Sequence, residues 1–301
     1  MSFPIASVPA LSPKPVSPLP PIKLSAPHTG EFWILEILHE DARILAVNKP
    51  ARLLVSPDRY DPRRPNLMRL LTDAVSTGKP WAVARGLTYL ANAHRLDFET
   101  TGVLLLAKDK PALVALANHF GSEVPKKTYL ALVTGNPTED RFECDLALKP
   151  DPRQPGLMRW ARDGKKSFTE FVVRERFRGC ALVECHPRTG RTHQLRVHLK
   201  AAGHPILADP QYGDGAVLRL SDLKRRFKHQ GDTTERPLTP SLALHAWKLA
   251  VPHPDGTGET EITAPWPKDF EVALKYLRRY AAWTPAAAAN PPDAADAEGQ
   301  A

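Results

Sequence analysis

The clearest signal in the pattern of apolar and polar positions is Val103-Leu104-Leu105-Leu106-Ala107, an unbroken apolar run that reads as a buried strand. The stretch before it, His94-Arg95-Leu96-Asp97-Phe98-Glu99-Thr100-Thr101-Gly102, is too polar to lie inside that strand. Leu87-Thr88-Tyr89-Leu90-Ala91, upstream of both, is a second predicted strand. The polar stretch is therefore expected to be a loop held between two core strands, with Asp97 at its centre and Gly102 freeing the backbone to re-enter the sheet. A rigidly mounted, irregular polar segment is where a catalytic group is expected.

The same reading extends along the chain. Phe32–Leu38 and Ile44–Pro50 are predicted strands, the second stopped by its proline. Helical spacing marks 66–75, with Asn66 as cap and Leu67, Leu70, Leu71 and Ala74 on one face. Asp109 caps a second helix with Pro111 in its first turn and Leu113, Leu116, Ala117 and Phe120 as its buried stripe. Lys127–Val133 alternates and is β-rich, and strands over Ser167–Phe177 and Cys180–His186 flank a turn at Gly179. Thr192–Ala202 is a predicted helix ended by Gly203. Residues 217–228 read as helical, carrying a basic cluster of Lys224, Arg225, Arg226 and Lys228. Ala243–Val251 is a late strand and Phe270–Tyr280 an amphipathic closing helix. Strands and helices without strict alternation imply an α+β fold around a mixed, largely antiparallel central sheet with flanking helices and loops. Residues 1–30 hold eight of the 31 prolines and no acid, and 284–301 are rich in Ala, Pro and Asp. Both are expected to be disordered tails around one domain at 31–283.

Charge changes the picture. The 301-residue chain carries a net +8, and removing the two lysines of the first tail and three acids of the last takes +8 to +9, so the excess belongs to the folded part. A polyanionic partner is implied, nucleic acid before anionic membrane. Three cysteines, Cys144, Cys180 and Cys185, make neither a disulfide framework nor a zinc pair. With no apolar run long enough for a membrane span and a proline-broken N-terminus, a cytoplasmic chain is expected, without membrane or metal partner.

Three polar constellations remain: His94-Arg95-Leu96-Asp97, Lys127-Thr128-Tyr129, and Arg188-Thr189-Gly190-Arg191-Thr192-His193-Gln194-Leu195-Arg196-Val197-His198. In the third, a Gly-containing turn enters a helix, where backbone N–H groups with Arg188 and Arg191 suit a phosphate. Arg196, among Leu195, Val197 and Leu199, is either buried against a carboxylate or an ordinary surface arginine. His94, His193 and His198 lack the spacing of a zinc site and read as hydrogen-bonding or RNA-facing. On residue type alone Asp97 is a structural ion pair or a nucleophile, and Tyr129 core or catalytic. No Gly-x-Ser-x-Gly elbow, Walker loop or Gly-x-Gly-x-x-Gly fingerprint is present.

Taken together and in order, these motifs resemble the RluA family of RNA pseudouridine synthases. His94-Arg95-Leu96-Asp97-x-x-Thr100-x-Gly102 looks like its catalytic motif and Lys127-Thr128-Tyr129 its tyrosine strand. Gly190–His198, then Gly203-His204-Pro205-Ile206, Asp209-Pro210-x-Tyr212-Gly213 and Leu244-His245-Ala246-Trp247, are similar to its later segments, so the likeness runs from about Ile34 to Trp266. The resemblance implies that Asp97 is the nucleophilic carboxylate of a uridine-to-pseudouridine isomerisation. It implies further that Tyr129 stacks on the uracil and takes the C5 proton, that Arg196 pairs with Asp97, and that Arg95 fills the gap left by the extruded base. Structured rRNA or tRNA is the implied partner, no cofactor is implied, and His94, Arg188, Arg191 and His193 join Arg95 as RNA-binding residues. Absence of an accessory domain makes a monomer the simplest expectation. Thr101 stands where the family usually has Ser, and after Lys49-Pro50 the usual Gly and His are replaced by Ala51-Arg52-Leu53-Leu54-Val55-Ser56-Pro57; residues 1–30 are too short and proline-broken for the S4 RNA-binding module that many relatives carry. The rival expectations are a non-catalytic RNA-binding or ribosome-assembly protein that keeps the fold, and an unrelated hydrolase using Asp97 with His94.

Overall fold

A computed structural model describes residues 20–59, 61–224, 227 and 234–283. In chain order the elements are β1 (Ile22–Ala26), β2 (Glu31–Glu40), β3 (Ile44–Lys49), α1 (Leu67–Ser76), α2 (Pro80–Val83), β4 (Ala91–Asn92), β5 (Thr101–Ala107), α3 (Lys110–Gly121), β6 (Lys126–Thr134) and β7 (Arg141–Cys144). They continue with β8 (Leu148–Pro150), β9 (Met158–Trp160), β10 (Thr169–Phe177), β11 (Cys180–Pro187), α4 (Gln194–Ala201), α5 (Leu220–Leu223), β12 (Leu244–Pro252), β13 (Glu259–Thr263) and α6 (Lys268–Tyr280).

One sheet runs β1-β2-β3-β5-β12-β6-β11-β10-β7, with β4 beside β5 and β13 beside β12; β8 and β9 form a separate hairpin. Every strand pairing is antiparallel except β5–β12, so the mixed, largely antiparallel α+β architecture read from the sequence is the observed one. The parallel contact is short and central: His245 faces Thr101, and Ala246 faces Gly102. Ala246 also faces Tyr129 of β6, and Tyr129 faces Cys185 of β11. Gly102, Ala246, Tyr129 and Cys185 thus lie in one row across four neighbouring strands, where the two halves of the sheet meet. The row requires its glycine. Gly102 has φ +111°, and a Cβ there would lie 2.1 Å from the Ala246 carbonyl oxygen, inside any permissible contact.

Local chemistry explains the helices. The Asn66 side chain accepts the Arg69 N–H and the Asp109 side chain accepts the Ala112 N–H, both as N-caps. The stripe of α3 differs by one position from expectation: Ala112 and Leu116 are buried, with Leu113 and Phe120 packed against that core, while Ala117 faces out. In α4 the residues Gln194 through Leu199 are all buried, and only the last turn, Lys200 and Ala201, reaches solvent.

Several expectations are corrected. Ile22, Leu24 and Ala26 alternate into the core as β1, paired to β2, so the folded region begins inside the segment expected to be a tail. The surrounding prolines mask this five-residue alternation. Of the strand expected over Leu87–Ala91, only Ala91 pairs, in β4; Leu87 and Leu90 are buried from a loop. Helix α4 begins at Gln194 because His193 is left-handed, φ 53°. The helix expected over 217–228 is reduced to α5, and Arg225, Arg226 and Lys228 of its basic cluster lie outside the described residues, as do 1–19 and 284–301.

Candidate active site

The loop from His94 to Thr100 is clamped by groups that its own sequence supplies. Leu105 of β5 donates its N–H to His94 Nε2 (3.1 Å) and accepts the Ala93 N–H (2.9 Å). The imidazole takes the place of the next backbone carbonyl and extends the β4–β5 ladder. Its face stacks on Phe120, centroids 4.9 Å apart. An acceptor nitrogen requires a neutral ring, and burial, aided by the charge of Lys127, pushes the His94 pKa down to about 4. Leu96 is buried in the core shared with β1 to β3. The Thr100 N–H closes a turn on the Asp97 carbonyl (3.2 Å). From behind, Lys49, wholly buried, donates its ammonium to the carbonyls of Pro50, Leu53 and Phe98. Burial drives the Lys49 pKa down to about 7, against the pull of Asp97 and Glu99.

These constraints present the Asp97 carboxylate, 18% exposed, to a cleft of about 330 Å³ between the loop, Tyr129 and the Pro187–Arg196 segment. It accepts no side-chain hydrogen bond within the described residues. Its neighbours are Arg196 Nη1 at 3.7 Å from Oδ2 and His193 Nε2 at 3.9 Å from Oδ1. Arg196 is buried against a carboxylate, but that carboxylate is chiefly Asp209. Nε and Nη2 reach Asp209 Oδ2 and Oδ1 at 2.8 and 2.7 Å, and Nη2 also reaches Gln211 Oε1 at 2.7 Å. The expected pairing with Asp97 is therefore the looser one, through the remaining Nη1. Burial alone would raise the Asp209 pKa, but the bonds and charge of Arg196, with the N–H groups of Gln211 and Tyr212, bring it below the usual carboxylate value.

His193 is held from its other side. Its Nδ1 lies 2.7 Å from Tyr212 Oη, which accepts the Met158 N–H at 2.8 Å. With that N–H donating to the phenol oxygen, the phenol proton is directed to Nδ1, and Nε2–H faces Asp97. Burial lowers the His193 pKa despite the nearby Asp97 charge, which keeps the ring neutral. The Arg196 guanidinium also lies over the Tyr212 ring, 4.7 Å from its centroid.

Tyr129 lines the cleft beside Asp97. Burial first, then the Asp97 charge, push its phenol well above the ordinary tyrosine value. A phenol so held is protonated at neutral pH and carries a hydrogen-bond donor into the cleft.

The other expected binding residues divide. Arg95 is exposed at the rim and makes no ion pair among the described residues. Arg191 also lines the cleft, tied to Glu123 (3.1 Å) and to the Lys166 carbonyl (3.0 Å). Arg188 does not line it: a two-bond pair with Glu170 and a stack on Phe168 turn it toward β10. His94 and His193 line the cleft with their nitrogens engaged as above, and His198 is fully buried between Ser167 and Thr169. Sequence reasoning did not assign Asp209, Tyr212 or Lys127. The first two sit in the quoted Asp209–Gly213 segment, where a buried arginine upstream was the available signal. Lys127 donates to the Thr189 carbonyl (3.0 Å), and burial lowers its pKa to about 8. Among the described residues no three His, Cys, Asp or Glu side chains are arranged to hold a metal ion, and no helix is long and apolar enough to cross a membrane.

A family profile described as RNA pseudouridylate synthase matches residues 43–201. The chain is 34% identical over 279 residues to ribosomal large subunit pseudouridine synthase C of Escherichia coli, covering 86% of this chain and 78% of that protein. It is 33% identical over 252 residues to ribosomal large subunit pseudouridine synthase D of Nitrosomonas europaea, covering 83% and 67%. Among solved structures, human RNA pseudouridylate synthase domain containing 4 superposes with a TM-score of 0.62 at 28% identity, covering 80% of this chain and 92% of that one.

Proposed function

We propose, from the premise that this chain belongs to the RNA pseudouridylate synthase family and is an isomerase acting on RNA, that Asp97 is its nucleophile and that its target is a uridine of large-subunit ribosomal RNA. One observation carries the first half. Asp97 is the carboxylate at the cleft whose oxygens accept no hydrogen bond among the described residues, with Arg196 held 3.7 Å away by a different acid. Arg196 sets a positive charge beside Asp97 while its strongest bonds go elsewhere, so the attacking oxygen is not engaged.

In the proposed reaction a target uridine is flipped into the cleft, at a cost of a few kcal/mol offset by phosphate contacts. An Asp97 oxygen bonds to C1′ as the N1–C1′ bond breaks, and uracil leaves with the electron pair. The ring turns against Tyr129, and C5 bonds to C1′ while the Asp97–C1′ bond breaks. The proton on C5 leaves and N1 takes one from solvent, so the product is an isomer of the substrate. With Tyr129 protonated, the Asp97 carboxylate released beside C5 is the base the cleft offers for that proton.

The names of the two relatives support ribosomal RNA of the large subunit as substrate, with tRNA the alternative. Purified protein is incubated with large-subunit rRNA and, separately, with tRNA, each lacking modifications, and pseudouridine is mapped by carbodiimide labelling and primer extension. Product in the first RNA, absent with Asp97→Asn, is expected. Parental activity in Asp97→Asn sinks the nucleophile assignment, and product in tRNA alone sinks the substrate assignment.

A further inference from the structure

The segment from Leu148 to Lys166, which carries β8 and β9, has six basic side chains against two acidic. Its net +4 is half the net charge of the whole chain. Lys149 is paired with Asp163, while Arg153, Arg159, Arg162, Lys165 and Lys166 are exposed and make no ion pair among the described residues. Between them Trp160 is 48% exposed, one of the few large apolar side chains that the fold leaves open. Five cations without an ion pair among the described residues, on the same segment as an open indole, are not explained by packing, because the hairpin has its own small core: Leu148, with Leu157 and Met158, packs on Val197 of α4 and Tyr212.

The hairpin is also fastened to the cleft. The Met158 N–H bonds Tyr212 Oη, Tyr212 bonds His193, and His193 faces Asp97. At the other end the Lys166 carbonyl accepts from Arg191, which lines the cleft. At its base, His198 of α4 lies within bonding distance of Ser167 and the Leu146 carbonyl. A strand leaving the cleft on this side meets a basic, aromatic surface that is rigidly referenced to the catalytic carboxylate.

We infer that the β8–β9 hairpin is a docking arm for single-stranded RNA flanking the target uridine, with Trp160 stacking on an unpaired base and the arginines on neighbouring phosphates. Charge complementarity selects a polyanion, and the open indole selects unpaired bases over duplex, because only an unpaired base offers its face. The inference rests on the RNA-modifying reading above and gives it a binding determinant away from the chemistry.

The test uses the full chain, with equilibrium binding to a short single-stranded RNA and to a fully paired duplex, across a salt series. Trp160→Ala is expected to weaken single-strand binding roughly 5- to 150-fold and to leave duplex binding unchanged. Combined Arg153→Ser, Arg159→Ser and Arg162→Ser should lower the salt slope for the single strand by about 2. Both variants should keep the parental circular dichroism and melting temperature, since the replaced side chains are exposed. Parental affinity and salt slope in both variants overturn the arm. Equal loss on duplex and single strand overturns the stacking. If the parent makes no pseudouridine in any RNA while the variants still lose single-strand affinity, the catalytic reading falls and the arm stands.

Discussion

Asp209→Asn separates the two jobs of Arg196. Both members of the pair are buried, their side chains 8% and 0% exposed. Asparagine keeps Oδ1, which accepts from Arg196 Nη2, Gln211 and Tyr212, but sets an amide N–H₂ against Arg196 Nε–H where an acceptor stood 2.8 Å away. Breaking a buried pair from one side costs about 3–5 kcal/mol. The three retained bonds put this change near the low end, about 3 kcal/mol. For a chain of this size that corresponds to a fall in Tm of about 5 °C. Arg196, its main acid neutralised, turns its fork to Asp97 and closes the 3.7 Å gap to a hydrogen bond. A charge-assisted bond to the attacking oxygen stabilises the ground state by about 1.5–3 kcal/mol, so single-turnover pseudouridine formation slows roughly 10- to 150-fold. RNA affinity is expected to stay within about twofold, because no cleft cation is lost. Asp209 also titrates below its ordinary 3.8 in the folded chain. Its contribution is therefore complete above about pH 4 and is lost as the pH falls further, so the variant should lose less stability than the parent across that acid limb. Calorimetry and single-turnover kinetics well below both melting points decide the matter. A Tm within 2 °C of the parent together with a parental rate would refute the division of labour assigned to Arg196.

Two further outcomes follow from the same geometry. Tyr129→Phe keeps the ring and removes only the hydroxyl, so single-turnover activity should stay within about tenfold of the parent, whereas Tyr129→Leu loses stacking of about 1–3 kcal/mol. A loss beyond about a thousandfold in Tyr129→Phe would instead establish the phenol as the base. His94 and His245 are both buried neutral, with pKa values pushed by burial from 6.5 down to about 4. The unfolded chain binds their protons first, so stability is full above about pH 6.5 and falls as the pH drops toward 4. Urea midpoints that stay flat from pH 7 to 4.5 would contradict this.

What was legible in the sequence was what is local or periodic. Asn66 and Asp109 cap helices a few residues away, and the Val103–Ala107 run could only be a buried strand. The choice that Arg196 makes was not legible, because Asp97 and Asp209 are both plausible acids and only the third dimension ranks them. His94 read as either hydrogen-bonding or RNA-facing; that its ring completes a β-ladder depends on Leu105 sitting across a gap that no spacing reports. β1 hid among prolines, and β8–β9 within a segment rich in Pro, Gly and Asp, the residues that ordinarily signal a loop. Motif order located the site; partner choice within it came from packing.

The row from Gly102 through Ala246 to Tyr129 has a consequence for how such a chain can change its target. The loop bearing Asp97 and the ring of Tyr129 hang from strands two sheet spacings apart, about 9.5 Å of hydrogen-bonded backbone. That interval is set by peptide geometry and by an approach no side chain at Gly102 could enter, so substitution cannot tune it. The width of the reaction chamber is in effect a constant of the sheet. Divergence toward a new RNA is then expected outside it, in exposed rim side chains such as Arg95 and those of β8–β9 that face solvent, which can be replaced without moving Asp97.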